Sequence, residues 1–332
     1  MICQRSPGGR LCIHAGLPKT ANTMLQLHLF PRHSQLEYLG TFKRDGMKRR
    51  YDKCRDGAVQ EIINQLVHRG KYRPRLARCR RLFDESIVPA FDAGRGPLWS
   101  YEALALHRPN VRRKRAENLR DVFHECNVIF TLRHPLRLVE SAYFQHLRKT
   151  HVAGKGHRGR GPCYLPIDRW LKQTWGRQGK APADHLEYAE TIEIFADVFG
   201  KESIGVFLFE QLVEDHEAFI ASLCRFIGID PEQGVALTAG KREADRWTTT
   251  QVEKLEQIQA SFSQSMRFRF ASRRQRRIML GLRPNGLGRP GERARAAIPD
   301  DWQRRILDQT RQGNRRLVER WGLPLEQYGY PL

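Results

Sequence analysis

The chain has 332 residues, 40% of them hydrophobic, so it can bury a substantial core, and its length fits one large α/β domain better than two equal halves. No apolar run approaches the roughly 18 residues of a membrane span, and the N-terminus lacks a secretory apolar stretch, so we expect a soluble protein with no transmembrane span and no export signal. Lys and Arg number 58 against 36 acidic residues, and the net charge of +22 favours a negatively charged partner.

The cysteines are scattered singly along the chain. They form no CxxC pair and no Cys/His spacing typical of a metal site. We therefore expect reduced thiols, a cytoplasmic location and no bound metal. The seven are Cys3, Cys12, Cys54, Cys79, Cys126, Cys163 and Cys224.

The first predicted unit is a strand, a loop and a helix. Residues 10–14 alternate weakly as a strand, and a helical pattern runs from Ala21 to Phe30 and stops at Pro31. Residues 41–95 indicate basic helices, and residues 96–101 then form a short strand.

Two further units have the same order of strand and helix. A helix over 112–124 leads into an apolar run at 127–132, which is typical of a strand buried on both faces, and a helix follows from Pro135 to about residue 149. Residues 203–209 predict the next strand, and residues 215–227 predict a helix that ends before a glycine. Strands that alternate with helices imply a parallel sheet.

The remaining segments are basic or helical. Residues 150–163 combine glycine with Lys, Arg and His, so we expect a mobile basic loop. After Gly240 the pattern is helical, with a Gly/Pro/Arg break at 281–299 and a final helix over about 300–321. We predict one domain over residues 1–332, without internal repeats.

The first candidate site is the segment HAGLPKTANTMLQ at residues 14–26. It places small and hydroxyl residues between a strand and a helix N-terminus, where free N–H groups and the helix dipole attract anions. Lys19 adds a full positive charge, and Thr20 and Thr23 offer hydroxyl donors. The alternative is an ordinary turn with a solvated lysine. The kinase pattern GxxxxGK[ST] is absent, which argues against an ordinary nucleoside triphosphatase.

The second candidate site is TLRHPLRLVESAYFQ, in which Arg133 ends a strand and Ser141 lies about two helical turns further on. Open α/β sheets bind ligands at the carboxyl edge, where a guanidinium and a hydroxyl can hold a phosphate. The alternative is a capping arginine and a serine that only packs against a neighbour.

Together these segments resemble the sulfotransferases that use 3′-phosphoadenosine 5′-phosphosulfate as donor. HAGLPKTANTMLQ is similar to the 5′-phosphosulfate loop of that family, PKTGTT or PKTATT, and LRHPLRLVESAYF to its 3′-phosphate element, R-x7-S. VFLFEQL, with the later Phe226-Ile-Gly228, is similar to the family's YEDL…FLG. The closing motifs Tyr188…Phe199-Gly200 and WGLPLEQYGY resemble the bacterial carbohydrate-directed branch.

The resemblance implies a P-loop-like central parallel sheet flanked by helices, in a single domain with helical insertions. The donor-binding core would span about 10–230 and a helical C-terminal part about 240–332. No metal is implied. The donor contacts that it implies are Gly16, Pro18, Lys19, Thr20, Ala21, Asn22, Thr23, Arg133 and Ser141.

Two departures from the family stand out. Asn22 lies where the family has Gly or Thr, which would alter how the sulfonate is held. The RKGxxGDWK element of the eukaryotic enzymes is missing, and residues 288–293 are a loose analogue of it.

The implied reaction is in-line displacement at sulfur by an acceptor oxygen. Lys19 would stabilise charge on the bridging oxygen. Glu102, after the strand at 96–101, is the candidate general base, with a role as a helix cap as the alternative. Further candidates for the base are Glu37, His14 and His107.

The expected acceptor is a carbohydrate or another hydroxyl-bearing molecule, covered by the basic loop 150–163 with Lys155, Arg158 and Arg160. Two other functions stay open. A nucleic-acid-binding protein would suit the charge, but the chain has no nucleic-acid-binding signature, so no nucleic acid is expected. A P-loop nucleotide kinase would need the missing Gly-Lys pair. The sequence leaves the oligomeric state open.

Overall fold

The structure is a computed structural model that describes residues 10–40, 54–67, 74–148, 150, 164–176, 186–241, 247–282 and 292–332. All but the first residue of the predicted basic loop 150–163 lies outside these ranges, as does most of the loose analogue at 288–293.

The centre of the fold is a five-stranded sheet in the order β2-β3-β1-β4-β5. Every neighbouring pair is parallel. The strands are β1 (Leu11–His14), β2 (Leu36–Gly40), β3 (Gly96–Ser100), β4 (Cys126–Leu132) and β5 (Ile204–Leu208). This arrangement is the predicted central parallel sheet flanked by helices.

Helices cover both faces of the sheet, which explains the nearly continuous apolar strands. Adjacent residues of β4 point to opposite faces. Ile129 joins a buried cluster with Leu25 and Leu223 from two helices, while the Phe130 ring lies 5.3 Å from the Phe195 ring of another helix. Burial of β4 on both sides places the end of this strand in a rigid setting.

The helices follow the strands in the predicted alternation. They are α1 (Asn22–Met24, continued by the π-helical Leu25–Leu29), α2 (Gly57–Val67), α3 (Leu76–Ser86), α4 (Val88–Asp92), α5 (Pro109–Phe123), α6 (Pro135–Leu147), α7 (Ile167–Thr174), α8 (Tyr188–Phe199), α9 (Phe209–Glu214), α10 (His216–Ile227), α11 (Pro231–Thr238), α12 (Thr249–Ala260), α13 (Phe262–Phe270), α14 (Arg273–Met279) and α15 (Asp300–Trp321). Within the described ranges, short 3-10 helices span Glu102–Ala105, Lys201–Ser203 and Glu326–Tyr328.

The predicted stop at Gly228 is confirmed. This glycine ends α10 with φ 86° and ψ 34°, and its N–H donates to carbonyl oxygens of the last turn. Glycine adopts this left-handed conformation without the steric cost of a side chain.

The strand β2 and the helix α9 were not predicted. β2 has five residues, and α9 begins directly where β5 ends. A strand this short with no clear alternation gives a weak periodic signal, and its pairing with β3 supplies the hydrogen bonds that define it.

The chain divides into two compact units. The first comprises Met1–His134, Asp184–Arg242 and Thr310–Leu332, and contains the whole sheet. The second comprises Pro135–Ala183 and Glu243–Gln309. In the second unit the Trp247 indole donates to the Phe144 carbonyl oxygen over 3.0 Å, which ties α6 to the segment before α12. Among the described residues, no helix has the length and apolar character needed to cross a membrane.

Candidate active site

The carboxyl edge of the sheet gathers the predicted site residues of the first unit. Because the strands are parallel, β1, β3, β4 and β5 all end at this edge. The phosphate loop follows β1, Glu102 follows β3, and Arg133 follows β4. Open α/β sheets bind ligands at such an edge.

The phosphate loop is anchored to the sheet at its start and turns sharply near its end. The Ala15 N–H donates to the Ile129 carbonyl oxygen over 3.0 Å. Lys19 and Ala21 have φ values of 73° and 65°, in the left-handed region that few residues with side chains occupy. Left-handed residues in a tight turn direct backbone N–H groups into a shared concavity that suits an anion.

Two buried side chains hold this loop from within. The Thr20 hydroxyl donates to the Leu17 carbonyl oxygen over 2.6 Å and lies 3.1 Å from Oδ1 of Asn22. Asn22 Nδ2 donates to the same Leu17 carbonyl over 2.8 Å and to Oε1 of Glu102 over 2.9 Å. Both side chains therefore act inside the loop here, and their part in donor binding stays a prediction.

The loop also has residues that face outward. Pro18, Lys19, Ala21 and Thr23 are partly exposed, whereas Gly16, Thr20 and Asn22 are buried. This alternation leaves the Lys19 and Thr23 side chains on the accessible side of the loop.

Gly16 is required by close packing. A Cβ atom at this position would meet Oδ1 of Asn22 and would lie 2.6 Å from Nε2 of His14. Any larger residue would displace the loop from the sheet end.

A polar network beneath the loop joins β1 to β3. His14 Nδ1 lies 2.8 Å from Oγ of Ser100, which accepts from Nε2 of Gln26 over 2.8 Å. His14 is fully buried, and burial lowers the pKa of its ring to about 3, so the ring is neutral at neutral pH. A buried, hydrogen-bonded imidazole of this kind is a structural support of the loop.

Arg133 connects the second motif to the first. Its side chain is buried, Nη1 donates to the Lys19 carbonyl oxygen over 2.9 Å, and the guanidinium carbon lies 4.5 Å from the centre of the Phe209 ring. Its own carbonyl oxygen accepts from the Tyr188 hydroxyl over 2.7 Å. Two motifs far apart in the sequence therefore meet at one place.

Glu102 begins the 3-10 helix Glu102–Ala105, and its side chain is partly exposed. Its carboxylate reaches the phosphate loop through Asn22. The structure thus brings the candidate base to the loop that carries Lys19.

The alternative bases are placed differently. Glu37 pairs with Pro97 near the amino ends of β2 and β3, and its carboxylate contacts Arg95 and lies 3.2 Å from Arg55. His107 lies between the 3-10 helix Glu102–Ala105 and α5, with φ 99°. Glu102, by contrast, contacts the phosphate loop through a side-chain hydrogen bond and is partly exposed.

Ser141 lies in α6, in the second unit, and is partly exposed. Its assignment to the 3′-phosphate stays a prediction. The predicted acceptor residues Lys155, Arg158 and Arg160 lie outside the described residues. Across the described ranges, no group of three or more His, Cys, Asp or Glu side chains is placed to hold a metal ion.

Two residues of the VFLFEQL segment were given no role at the site by the sequence analysis. Phe209 stacks on Arg133, and Glu210 accepts a hydrogen bond from the His134 N–H over 2.9 Å. Their signal was their place at the end of the predicted strand 203–209, of which Phe209 is the last residue, because the ends of parallel strands meet at the same edge.

Comparison with solved structures yields similar chains, among them three sulfotransferases at low sequence identity. A sulfotransferase from Alicyclobacillus acidocaldarius is 18% identical with a TM-score of 0.45, and the match covers 71% of this chain and 87% of that one. The sulfotransferase domain of the Synechococcus PCC 7002 olefin synthase is 14% identical with a TM-score of 0.39, covering 83% and 94% of the two chains.

The sulfotransferase domain from the curacin biosynthetic pathway is 13% identical with a TM-score of 0.35, covering 82% of this chain and 97% of that one. No family model and no curated protein matches the chain. With TM-scores this low, the functional assignment rests on the residues of the site.

Proposed function

We propose that this chain transfers a sulfonate group from 3′-phosphoadenosine 5′-phosphosulfate to a hydroxyl group, with a carbohydrate as the acceptor. The observation that carries the proposal is the 2.9 Å hydrogen bond from Arg133 to the Lys19 carbonyl oxygen. It joins the segment that resembles a 5′-phosphosulfate loop to the one that resembles a 3′-phosphate element. A donor with phosphate groups at both ends of its ribose needs two such cationic elements side by side.

The loop has the features that this donor requires. Gly16 lets the backbone approach closely, and the left-handed Lys19 and Ala21 turn the chain around a concavity. Lys19 adds a cation on the accessible side. The buried Thr20 and Asn22 side chains keep the loop in this shape before any ligand arrives, which reduces the entropy lost on binding.

The reaction is a single displacement at sulfur. The acceptor oxygen forms a bond to sulfur while the bond from sulfur to the bridging oxygen breaks, and adenosine 3′,5′-bisphosphate leaves. Negative charge grows on the bridging oxygen. We assign its stabilisation to Lys19, whose cation is most effective on charge that develops in the transition state.

The acceptor proton goes to Glu102 in this proposal. A sugar hydroxyl is a poor nucleophile unless its proton is removed as the new bond forms, and a carboxylate performs this at hydrogen-bond distance. What supports the assignment is the bond from Asn22 to Oε1, which holds the carboxylate beside the phosphate loop.

The carbohydrate acceptor is supported by the branch that the motifs resemble. The net charge of +22 would attract an acidic glycan from solution. A screen of glycans with a sulfate-labelled donor tests this choice. If no glycan in the screen accepts the labelled sulfonate, the choice of a carbohydrate acceptor is contradicted.

Calorimetry with three ligands tests the proposed activity. Adenosine 3′,5′-bisphosphate, ATP and a short DNA duplex are titrated separately into the full chain. We expect tight binding of the bisphosphate alone. Preferential binding of ATP would instead support a nucleotide kinase, and preferential binding of the duplex would support a nucleic-acid-binding protein.

A further inference from the structure

The C-terminal segment of the first unit packs against the residue that follows Arg133. The Tyr330 ring is buried and lies 5.3 Å from the His134 ring in an edge-on arrangement. His134 Nε2 donates to the Gly329 carbonyl oxygen over 2.9 Å. The closing WGLPLEQYGY motif thus ends at the carboxyl edge of β4, although the proposed reaction uses none of its residues.

One carboxylate joins this segment to two strand ends. Oε2 of Glu210 accepts from the Tyr330 hydroxyl over 2.9 Å, and Oε1 accepts from the His134 N–H over 2.9 Å. Glu210 lies in the first turn of α9, directly after β5. A carboxylate that accepts from two donors is held more firmly than one with a single bond.

A second tyrosine acts on Arg133 itself. The buried Tyr188, at the start of α8, donates its hydroxyl to the Arg133 carbonyl oxygen over 2.7 Å. Phe209, the neighbour of Glu210, lies beneath the guanidinium. The peptide unit between Arg133 and His134 is therefore held at its carbonyl oxygen and at its N–H, and the ring on which the Arg133 side chain rests is the neighbour of Glu210.

We infer that Tyr188 and Tyr330 are positioning residues that hold Arg133 in the orientation needed to select a ligand with a 3′-phosphate. The inference rests on the proposed function, since it assigns Arg133 to that phosphate. Neither tyrosine needs to contact the ligand. Each restricts the backbone from which the guanidinium extends, so that less conformational freedom is lost when the phosphate binds.

Three tyrosines allow a matched test. Tyr188→Phe and Tyr330→Phe each remove only a hydroxyl and keep the packed ring. Tyr328→Phe is the control, because Tyr328 lies in the same C-terminal segment but its hydroxyl donates to Glu214 at the end of α9, outside the His134–Glu210 contact. Calorimetry on the full chain gives the ratio of the affinities for adenosine 3′,5′-bisphosphate and adenosine 5′-monophosphate, which isolates the contribution of the 3′-phosphate.

We expect this ratio to fall about 3- to 10-fold in each of the two variants, the range that one lost hydrogen bond produces. Tyr328→Phe should leave the ratio unchanged. In an Arg133→Ala background, Tyr330→Phe should cause no further fall, because the two residues act through the same contact.

Other results would overturn the inference. An equal loss of affinity for both ligands would assign the tyrosines to general stability, and an additive loss in the double variant would separate them from Arg133. If the affinity ratio is unchanged in Tyr188→Phe and in Tyr330→Phe but falls in Arg133→Ala, the inference is refuted while the proposed function stands. Failure of the parent chain to bind the bisphosphate would refute the function itself.

Discussion

Asn22 donates a hydrogen bond from Nδ2 to Oε1 of Glu102 over 2.9 Å, and this bond joins the phosphate loop to the residue that begins the 3-10 helix after β3. The same amide holds the loop at Leu17. Asn22 lies where the family that the motif resembles has Gly or Thr. Its side chain points into the loop and is only 3% exposed.

Asn22→Ala should lower the free energy of unfolding by about 1–3 kcal/mol, because the change removes the buried hydrogen bonds that Asn22 makes to the Leu17 carbonyl oxygen and to Glu102. Urea denaturation measures the loss. Thr23→Ala, at the partly exposed next position, is the matched control and should change stability by less than about 0.5 kcal/mol. Equal effects of the two substitutions would contradict a loop-holding role for Asn22.

Lys19→Ala should lower the single-turnover rate more than it weakens donor binding, since the cation is most useful on the leaving oxygen. Alanine and lysine meet the same restriction at the φ of 73° at this position, so the backbone cost is matched. Lys114→Ala, which removes an exposed lysine of α5, serves as the control. An unchanged single-turnover rate would remove Lys19 from the mechanism.

Arg133→Ala should weaken the binding of adenosine 3′,5′-bisphosphate by about 2–4 kcal/mol, because a buried phosphate loses its charged partner. Donors that lack the 3′-phosphate should bind the variant and the parent almost equally. Arg113→Ala removes a half-exposed arginine paired with Asp197 and controls for the change in net charge. If both kinds of donor lose affinity equally, Arg133 has a structural role.

Glu102→Gln should reduce kcat by about 10²–10⁴ and leave bisphosphate affinity intact, since the amide keeps the shape of the carboxylate but has no basicity. The glutamine oxygen can still accept from Asn22 Nδ2, which preserves the loop. Steady-state kinetics and calorimetry measure the two quantities. A near-normal kcat would leave Glu102 with the role of holding the loop alone.

His14 should make the fold sensitive to acid. Its folded-state pKa of about 3 lies below the ordinary value, so the unfolded chain binds one more proton between these two pKa values, and stability falls as pH decreases through this window. One extra proton bound by the unfolded chain lowers the free energy of unfolding by about 1.4 kcal/mol for each pH unit of decrease. Urea denaturation measures the free energy of unfolding from pH 7 to pH 5. This free energy should depend less steeply on pH in His14→Gln than in the parent. Identical slopes would show that His14 does not titrate on unfolding.

Local patterns in the sequence determined the three strand-and-helix units and the residues of both motifs. Apolar runs such as 127–132 predict buried strands without knowledge of their partners, because the periodicity of a segment reflects its own burial. The stop at Gly228 is equally local, since it depends on the backbone freedom of one residue. The motif residues Lys19 and Arg133 were also found from local sequence, because each lies in the segment that follows a predicted strand.

The tertiary structure alone decided what those residues touch. The strand order β2-β3-β1-β4-β5 arises from long-range pairing, and it brings Arg133 to a carbonyl oxygen 114 residues earlier in the chain. Tertiary packing also directs the Thr20 and Asn22 side chains into the loop and places Tyr330 against His134. A sequence pattern reports the type of a side chain, whereas its direction and its partners depend on packing among segments that are far apart in the chain.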